Sequence, residues 1–181
     1  MKIGVIEGSI REGRKGAAVT QWVLRAAQDR EPEYVHLELA DFDVPLLTTA
    51  TVPGAANKVY DSPQVTRWSE AIDDCDAFVF VTPEYNHGVP GGFKNAVDSL
   101  GSEWRGKAVA FVSYGADGGV RAVEHWRAVV ANFQMVDVRQ QVALSLFTEF
   151  GEDGLQLQDR RDGELSALFD QLEAMTAKLV G

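Results

Sequence analysis

The run Ala77-Phe78-Val79-Phe80-Val81 is apolar at every position. A strand without alternation has to be covered on both faces, as the central strand of a parallel sheet is. Residues 2–7 and 107–113 read the same way, as short buried strands. Elsewhere the period changes to that of helices. Residues 16–30 place Val19, Trp22, Val23 and Ala26 on one face, and Ser62-Pro63 caps and opens a helix running to about Cys75. Pro90 opens another with Phe93, Ala96, Val97 and Leu100 inward, and the helix after Gly119 turns Ala122, Val123, Trp126, Val129, Val130 and Phe133 to the core. Residues 164–180 form the last, with Leu165, Leu168, Phe169, Leu172 and Leu179 on one face.

Residues 34–39 alternate instead, with Val35, Leu37 and Leu39 against Tyr34, His36 and Glu38, the pattern of an edge strand. Residues 40–61, with Pro45, Pro53 and Gly54, read as a loop, residues 135–138 as a last short strand, and residues 141–153 fit no element type. Strand and helix thus alternate about five times, which predicts a parallel sheet with helices on both faces. An edge strand in second place favours the flavodoxin-like order 2-1-3-4-5, a three-layer sandwich, over a Rossmann half. At 181 residues the chain is expected to be a single domain, residues 1–181, that buries its core without staples.

In such sheets a ligand sits beyond the carboxyl ends of the strands, at the switch point between strands 1 and 3. Three loops lie there: residues 8–15, 83–89 and 114–119. The first nearly spells a P-loop. Gly8 and Gly13 have the spacing, but Arg14-Lys15 stands where Lys and a Ser or Thr are required. The hydroxyl that would ligate Mg²⁺ at a triphosphate is therefore missing. What remains suits a dianionic phosphate without metal: the Ser9 hydroxyl, the two-pronged cation of Arg11, and the amides around Gly16 at a helix N-terminus. The bland alternative is a solvated basic turn. Seventeen basic against twenty-seven acidic residues, a formal net charge of −10, disfavour nucleic acid and anionic membrane as partners and make the cations near Arg11 look placed.

The second loop and the helix behind it, Pro83-Glu84-Tyr85-Asn86, Pro90 and Phe93-Lys94-Asn95-Ala96-Val97-Asp98, resemble the signature of the NADPH-dependent FMN reductase family. Gly8-Ser9-Ile10-Arg11 is similar to that family's phosphate motif, and Leu39-Ala40-Asp41-Phe42 with Pro45 to its region after strand 2. The resemblance implies a flavodoxin-like fold that binds FMN, reduced by NADPH or NADH and reoxidised by flavin, quinone or another small acceptor. By position, Ser9, Arg11, Arg14, Lys15, Gly16 and Ala17 would hold the FMN phosphate. Pro83, Glu84, Tyr85, Asn86 and His87 would line the isoalloxazine, and Ser113, Tyr114, Gly115, Gly118 and Gly119 would approach its other edge. No side chain is required as a catalytic acid or base, because FMN carries the hydride chemistry. The resemblance also implies a homodimer or homotetramer. Family members often have Ser and Asn where this chain has Arg14 and Gly16, and an aromatic where it has Ser99.

The rival reading is a flavodoxin-type electron carrier without its own substrate. It is disfavoured because such carriers generally hold phosphate on a Ser- and Thr-rich loop lacking cations. A P-loop-like phosphotransferase ranks last. His36, His87 and His125, scattered and with one cysteine, form no metal-ligand cluster. Asp73, Asp74 and Asp76 read as a solvated helix end away from the site. Cys75 is expected as a small buried residue, its thiol pKa raised by those aspartates, and Glu84 as solvated or paired with a neighbouring subunit. With one cysteine, no membrane-length apolar run and no basic leader, a cytoplasmic location is expected.

Overall fold

The computed structural model describes residues 1–152 and 154–181. Five strands, β1 (Lys2–Glu7), β2 (Glu33–Glu38), β3 (Ala77–Pro83), β4 (Ala108–Gly115) and β5 (Val136–Ser145), form a parallel sheet of order β2-β1-β3-β4-β5. That is the predicted order, with β2 at the edge. The helices are α1 (Gly16–Ala26), α2 (Leu39–Phe42), α3 (Pro63–Asp73), α4 (Gly91–Asp98), α5 (Val120–Asn132) and α6 (Arg160–Val180).

The unbroken apolar run of β3 is explained by two unlike covers. Ala77, Val79 and Val81 face α1 and α6 in a largely aliphatic core. Phe78 and Phe80 face α3, α4 and α5. On that side Trp68, Trp104, Phe93, Phe111 and Trp126 surround them in edge-on and tilted contacts, which favour aromatic packing beyond area alone. Each indole N–H is satisfied: Trp68 and Trp104 donate to the Ala96 and Val97 carbonyls at 2.9 and 3.1 Å, and Trp126 to the Thr82 hydroxyl at 3.0 Å. The first two fasten α4 to the aromatic core directly behind the predicted site.

Several predicted bounds move. Helix α1 ends at Ala26, which is exposed; Ala27 is the buried residue, because Val19, Val23 and Ala27 follow one another at i+4. In α6 Leu179 is 39% exposed and Thr176 is buried in the face instead, its hydroxyl donating to the Leu172 carbonyl at 2.7 Å. Residues 39–42 make one helical turn where the end of the edge strand, Leu39, and the start of a loop were expected, stopped by Asp43 in the left-handed conformation. Strand β5 runs seven residues past the predicted end at Val138. A register shift against β4 between Val109 and Phe111, opposite the polar run Arg139-Gln140-Gln141, hides it from a pattern search. The untyped stretch 141–153 thus completes β5 and enters a hairpin of β6 (Phe150–Gly151) and β7 (Gly154–Leu155). Asp153 lies outside the described residues.

At the amino ends of the strands, opposite the predicted site, Lys2 bonds Asp74 and Asp76, and Lys58 bonds Asp73, so these aspartates are structural. Cys75 is buried, and its thiol is pushed up to about 11, by burial first and only secondarily by Asp74 and Asp76.

Candidate functional site

The carboxyl ends of β1, β3 and β4 share one rim, and their loops close on a cleft of about 290 Å³. The first loop contributes Ser9, Arg11, Glu12, Gly13, Arg14 and Lys15, and the second Pro83, Glu84 and Tyr85. Tyr114 comes from the end of β4, and Leu146 from just past β5.

Gly8 starts the first loop by donating its N–H to the Val81 carbonyl at 3.0 Å. It lies flat on α4: a Cβ there would stand 2.0 Å from Phe93 Cδ1. Ser9 is 1% exposed, while Arg11 and Lys15 are exposed. Lys15 is the N-cap of α1, and no side chain caps that helix, whereas in α3 the Ser62 hydroxyl accepts from the Val65 N–H. Free first-turn amides beside a hydroxyl and cations are the chemistry of an anion site. Gly16 is buried against the cleft wall, where a Cβ would stand 2.7 Å from the Tyr114 hydroxyl. Ala17 is exposed and does not line the cleft.

Arg14 departs from expectation. Glu7 and Glu38 are register partners at the ends of β1 and β2. Arg14 Nε donates to Glu7 Oε1 at 2.6 Å and its Nη2 pairs with Glu38, so the guanidinium is turned to carboxylates. His36 Nε2 lies 3.2 Å from the other Glu7 oxygen. Burial pushes the Glu7 carboxyl up, but the bonds from His36 and Arg14 together outweigh it and hold the group below the usual carboxylate range. The sequence showed no metal-ligand cluster, yet Glu7, His36 and Glu38 bring three donors within 4.8 Å of one another. The cation among them is Arg14.

The second loop is a tight turn in which Tyr85 and Gly88 exchange both backbone hydrogen bonds at 3.0 Å. Asn86 and His87 between them have φ of 48° and 66°, the left-handed geometry of such turns. Both are exposed at the rim and outside the cleft lining. Tyr85 and Ser9 join the two loops through their hydroxyls, 2.7 Å apart, with the Arg11 guanidinium 5.7 Å above the tyrosine ring.

Glu84 is neither solvated nor dependent on a second subunit. Its side chain is 6% exposed and accepts from the Arg121 N–H at 3.1 Å and Arg121 Nε at 2.7 Å. A cation in a first helical turn opposes the helix dipole, and Glu84 and Asp117 offset it. Sequence reading missed Arg121 because it lies 37 residues away with no local pattern.

In the third loop only Tyr114 reaches the cleft. Ser113 is buried and donates to the Gly118 carbonyl at 2.6 Å. Gly118 and Gly119, at φ of 74° and 76°, complete the turn into α5, and Gly115 is packed behind Glu84. These residues shape the wall from behind. Burial, and then nearby Tyr85, pushes the Tyr114 phenol up, so it stays a neutral hydroxyl. Leu146 was also missed, for want of the true end of β5. Beyond it Phe150 lies 5.2 Å from Lys15 Nζ and 6.0 Å from the Tyr114 ring. Glu149, fully buried, anchors that segment through paired bonds from Arg161 at 2.5 and 2.9 Å.

The sequence profile of the NADPH-dependent FMN reductase family matches residues 1–149. An NAD(P)H-dependent FMN reductase of Nectria sp is 43% identical over 126 residues, 67% of this chain, and the match spans 63% of that relative's length. A quinone reductase of Pseudomonas putida is 32% identical over 183 residues, 93% of this chain and 91% of its own. Among solved structures, the FerB flavoenzyme, an NAD(P)H:(acceptor) oxidoreductase from Paracoccus denitrificans, superposes with a TM-score of 0.72 at 22% identity, covering 96% of this chain and 98% of that one. The last likeness concerns the fold alone.

Proposed function

The chain belongs to the NADPH-dependent FMN reductase family, and on that footing we propose that it is an FMN-dependent NAD(P)H oxidoreductase, moving hydride from NADPH or NADH through bound FMN to flavin, quinone or a similar small acceptor. The observation that carries this reading is the meeting of a cationic, uncapped helix N-terminus with the Pro83–Tyr85 segment and Tyr114 in one cleft.

The donor set fits the cofactor. Ser9, Arg11, Lys15 and the α1 amides at Gly16 and Ala17 take its phosphate, as charge-assisted bonds to a dianion require. Pro83, Glu84 and Tyr85 line the ring site, with Asn86 and His87 at its rim, and Tyr114 forms the opposite wall backed by Ser113, Gly115, Gly118 and Gly119. When bound, FMN supplies the hydride chemistry. The chain's residues bind and orient it, and the neutral Tyr114 hydroxyl gives the wall a fixed donor. No side chain has to exchange a proton for hydride to pass.

Residues 1–181 act in this reading as one FMN-binding domain. Exposed Leu46, Leu47 and Val59, which line one surface groove, support a homodimer or homotetramer, since a contiguous exposed apolar patch favours association. The lone cysteine supports a cytoplasmic location. Among the described residues no helix is long and apolar enough to cross a membrane.

The test is anaerobic. FMN-loaded protein should lose its flavin absorption on adding NADPH or NADH and regain it on adding a quinone. Bound flavin that neither nucleotide bleaches would favour an electron carrier and reject the reductase reading.

A further inference from the structure

Three cations crowd the first loop, and they do not stand alike. Arg11 and Lys15 are exposed and have no carboxylate partner among the described residues. Arg14 is half-buried and has its Nε and Nη2 committed to Glu7 and Glu38. Glu7 is 1% exposed, and a Cβ on Gly16 would meet Glu7 Cγ at 3.5 Å, so this carboxylate stands beside the first turn of α1. Two register-paired carboxylates therefore lie next to the helix N-terminus that the proposed function gives to a phosphate.

We infer that Arg14 is a positioning residue for the cofactor phosphate: it neutralises Glu7 and Glu38 next to the phosphate loop and ties that loop to β1 and β2, leaving Arg11 and Lys15 to meet the anion. The inference rests on the FMN reading of the cleft. Its physical basis is that a buried carboxylate deprived of its cation becomes an uncompensated charge, here beside the place a dianion must enter. His36 contacts Glu7 through one nitrogen, but it lies on the β2 side and carries no bond to Glu38. The planar fork of the Arg14 guanidinium presents separate nitrogens to the two carboxylates, Nε to Glu7 and Nη2 to Glu38.

The test measures dissociation constants for FMN by quenching of flavin fluorescence on the unloaded protein. Arg14→Gln should weaken FMN binding by about tenfold or more, because the buried Glu7 carboxylate then faces the phosphate uncompensated, whereas the partly exposed Glu38 is screened by solvent. Removing the buried carboxylate as well should undo the loss. The double variant E7Q/R14Q is expected to bind FMN within about threefold of the wild type, since the uncompensated buried charge has gone. Arg11→Gln should lose affinity too, but adding Glu7→Gln should not restore it. A double variant that folds and still binds as poorly as R14Q would mean that Arg14 touches the phosphate itself, and would overturn the inference. Should R14Q fail to fold, the comparison of wild type with E7Q/R14Q decides alone, because that double variant keeps no unpaired buried charge. Wild-type protein that binds no FMN would overturn the functional reading and this inference with it. Tight wild-type binding with an unrescued double variant overturns the inference only.

Discussion

The first and second loops touch at Ser9 and Tyr85, yet they are held in opposite senses. In the first, the loop supplies the cation, Arg14, and the sheet ends supply the carboxylates, Glu7 and Glu38. In the second, the loop supplies the carboxylate, Glu84, and helix α5 supplies the cation, Arg121. The first loop leaves Arg11 and Lys15 exposed above an uncapped helix start, while the second closes on itself in a left-handed turn. Under the proposed function the difference divides the tasks: charge dominates where the phosphate would bind, and backbone shape where the flat ring would lie.

That contrast can be broken most forcefully at Gly8. Gly8→Ala drives a Cβ into the Phe93 ring, and overpacking of this kind costs about 3 kcal/mol. Urea unfolding should show the loss, and FMN binding should fall with it; an unchanged midpoint would mean that the first loop is not seated on α4 as described.

Arg11→Ala and Glu84→Gln separate the two loops by ligand. Loss of a charge-assisted phosphate bond should cost Arg11→Ala about 2 kcal/mol of FMN affinity and leave riboflavin, which lacks the phosphate, unaffected. Glu84→Gln should weaken FMN and riboflavin by a common, smaller factor. Titrations in which both variants discriminate alike would erase the proposed division.

In the turn, Asn86→Val places a β-branched residue at a φ of 48° and should lower stability by about 1 kcal/mol, whereas Asn86→Gly should be tolerated. Thermal melts of the two would read the difference directly.

The smallest expected effect is in acid. Glu7 has a folded pKa below its ordinary 4.5, so its contribution to stability is full above that value and is lost as pH falls through the folded one. Glu7→Gln should flatten that part of the stability profile below pH 4.5. An acid limb identical in the variant would show that Glu7 is not the group responsible.

What the sequence disclosed and what it hid follow one physical division. The strand Ala77–Pro83 was legible because two-sided burial leaves a continuous apolar run, and the first loop because a basic turn after a strand is unusual in so acidic a chain. Ser9, Arg11, Lys15, Pro83, Glu84, Tyr85 and Tyr114 do meet in one cleft. The partners of the clamps were not legible. Glu7 meets Glu38 only through the β1–β2 register, and Glu84 meets Arg121 only once α5 is docked. Such pairings are set by topology rather than spacing. Leu146 stayed hidden because the bulge in β5 breaks the apolar pattern before the strand reaches the rim.

The central claim is that this cleft holds FMN by its phosphate on the first loop. Side-by-side titration of the unloaded protein with FMN and riboflavin, followed by flavin fluorescence, tests it most directly. FMN should bind at least about tenfold tighter than riboflavin, the gap narrowing as salt rises. Equal affinities for the two flavins would contradict it.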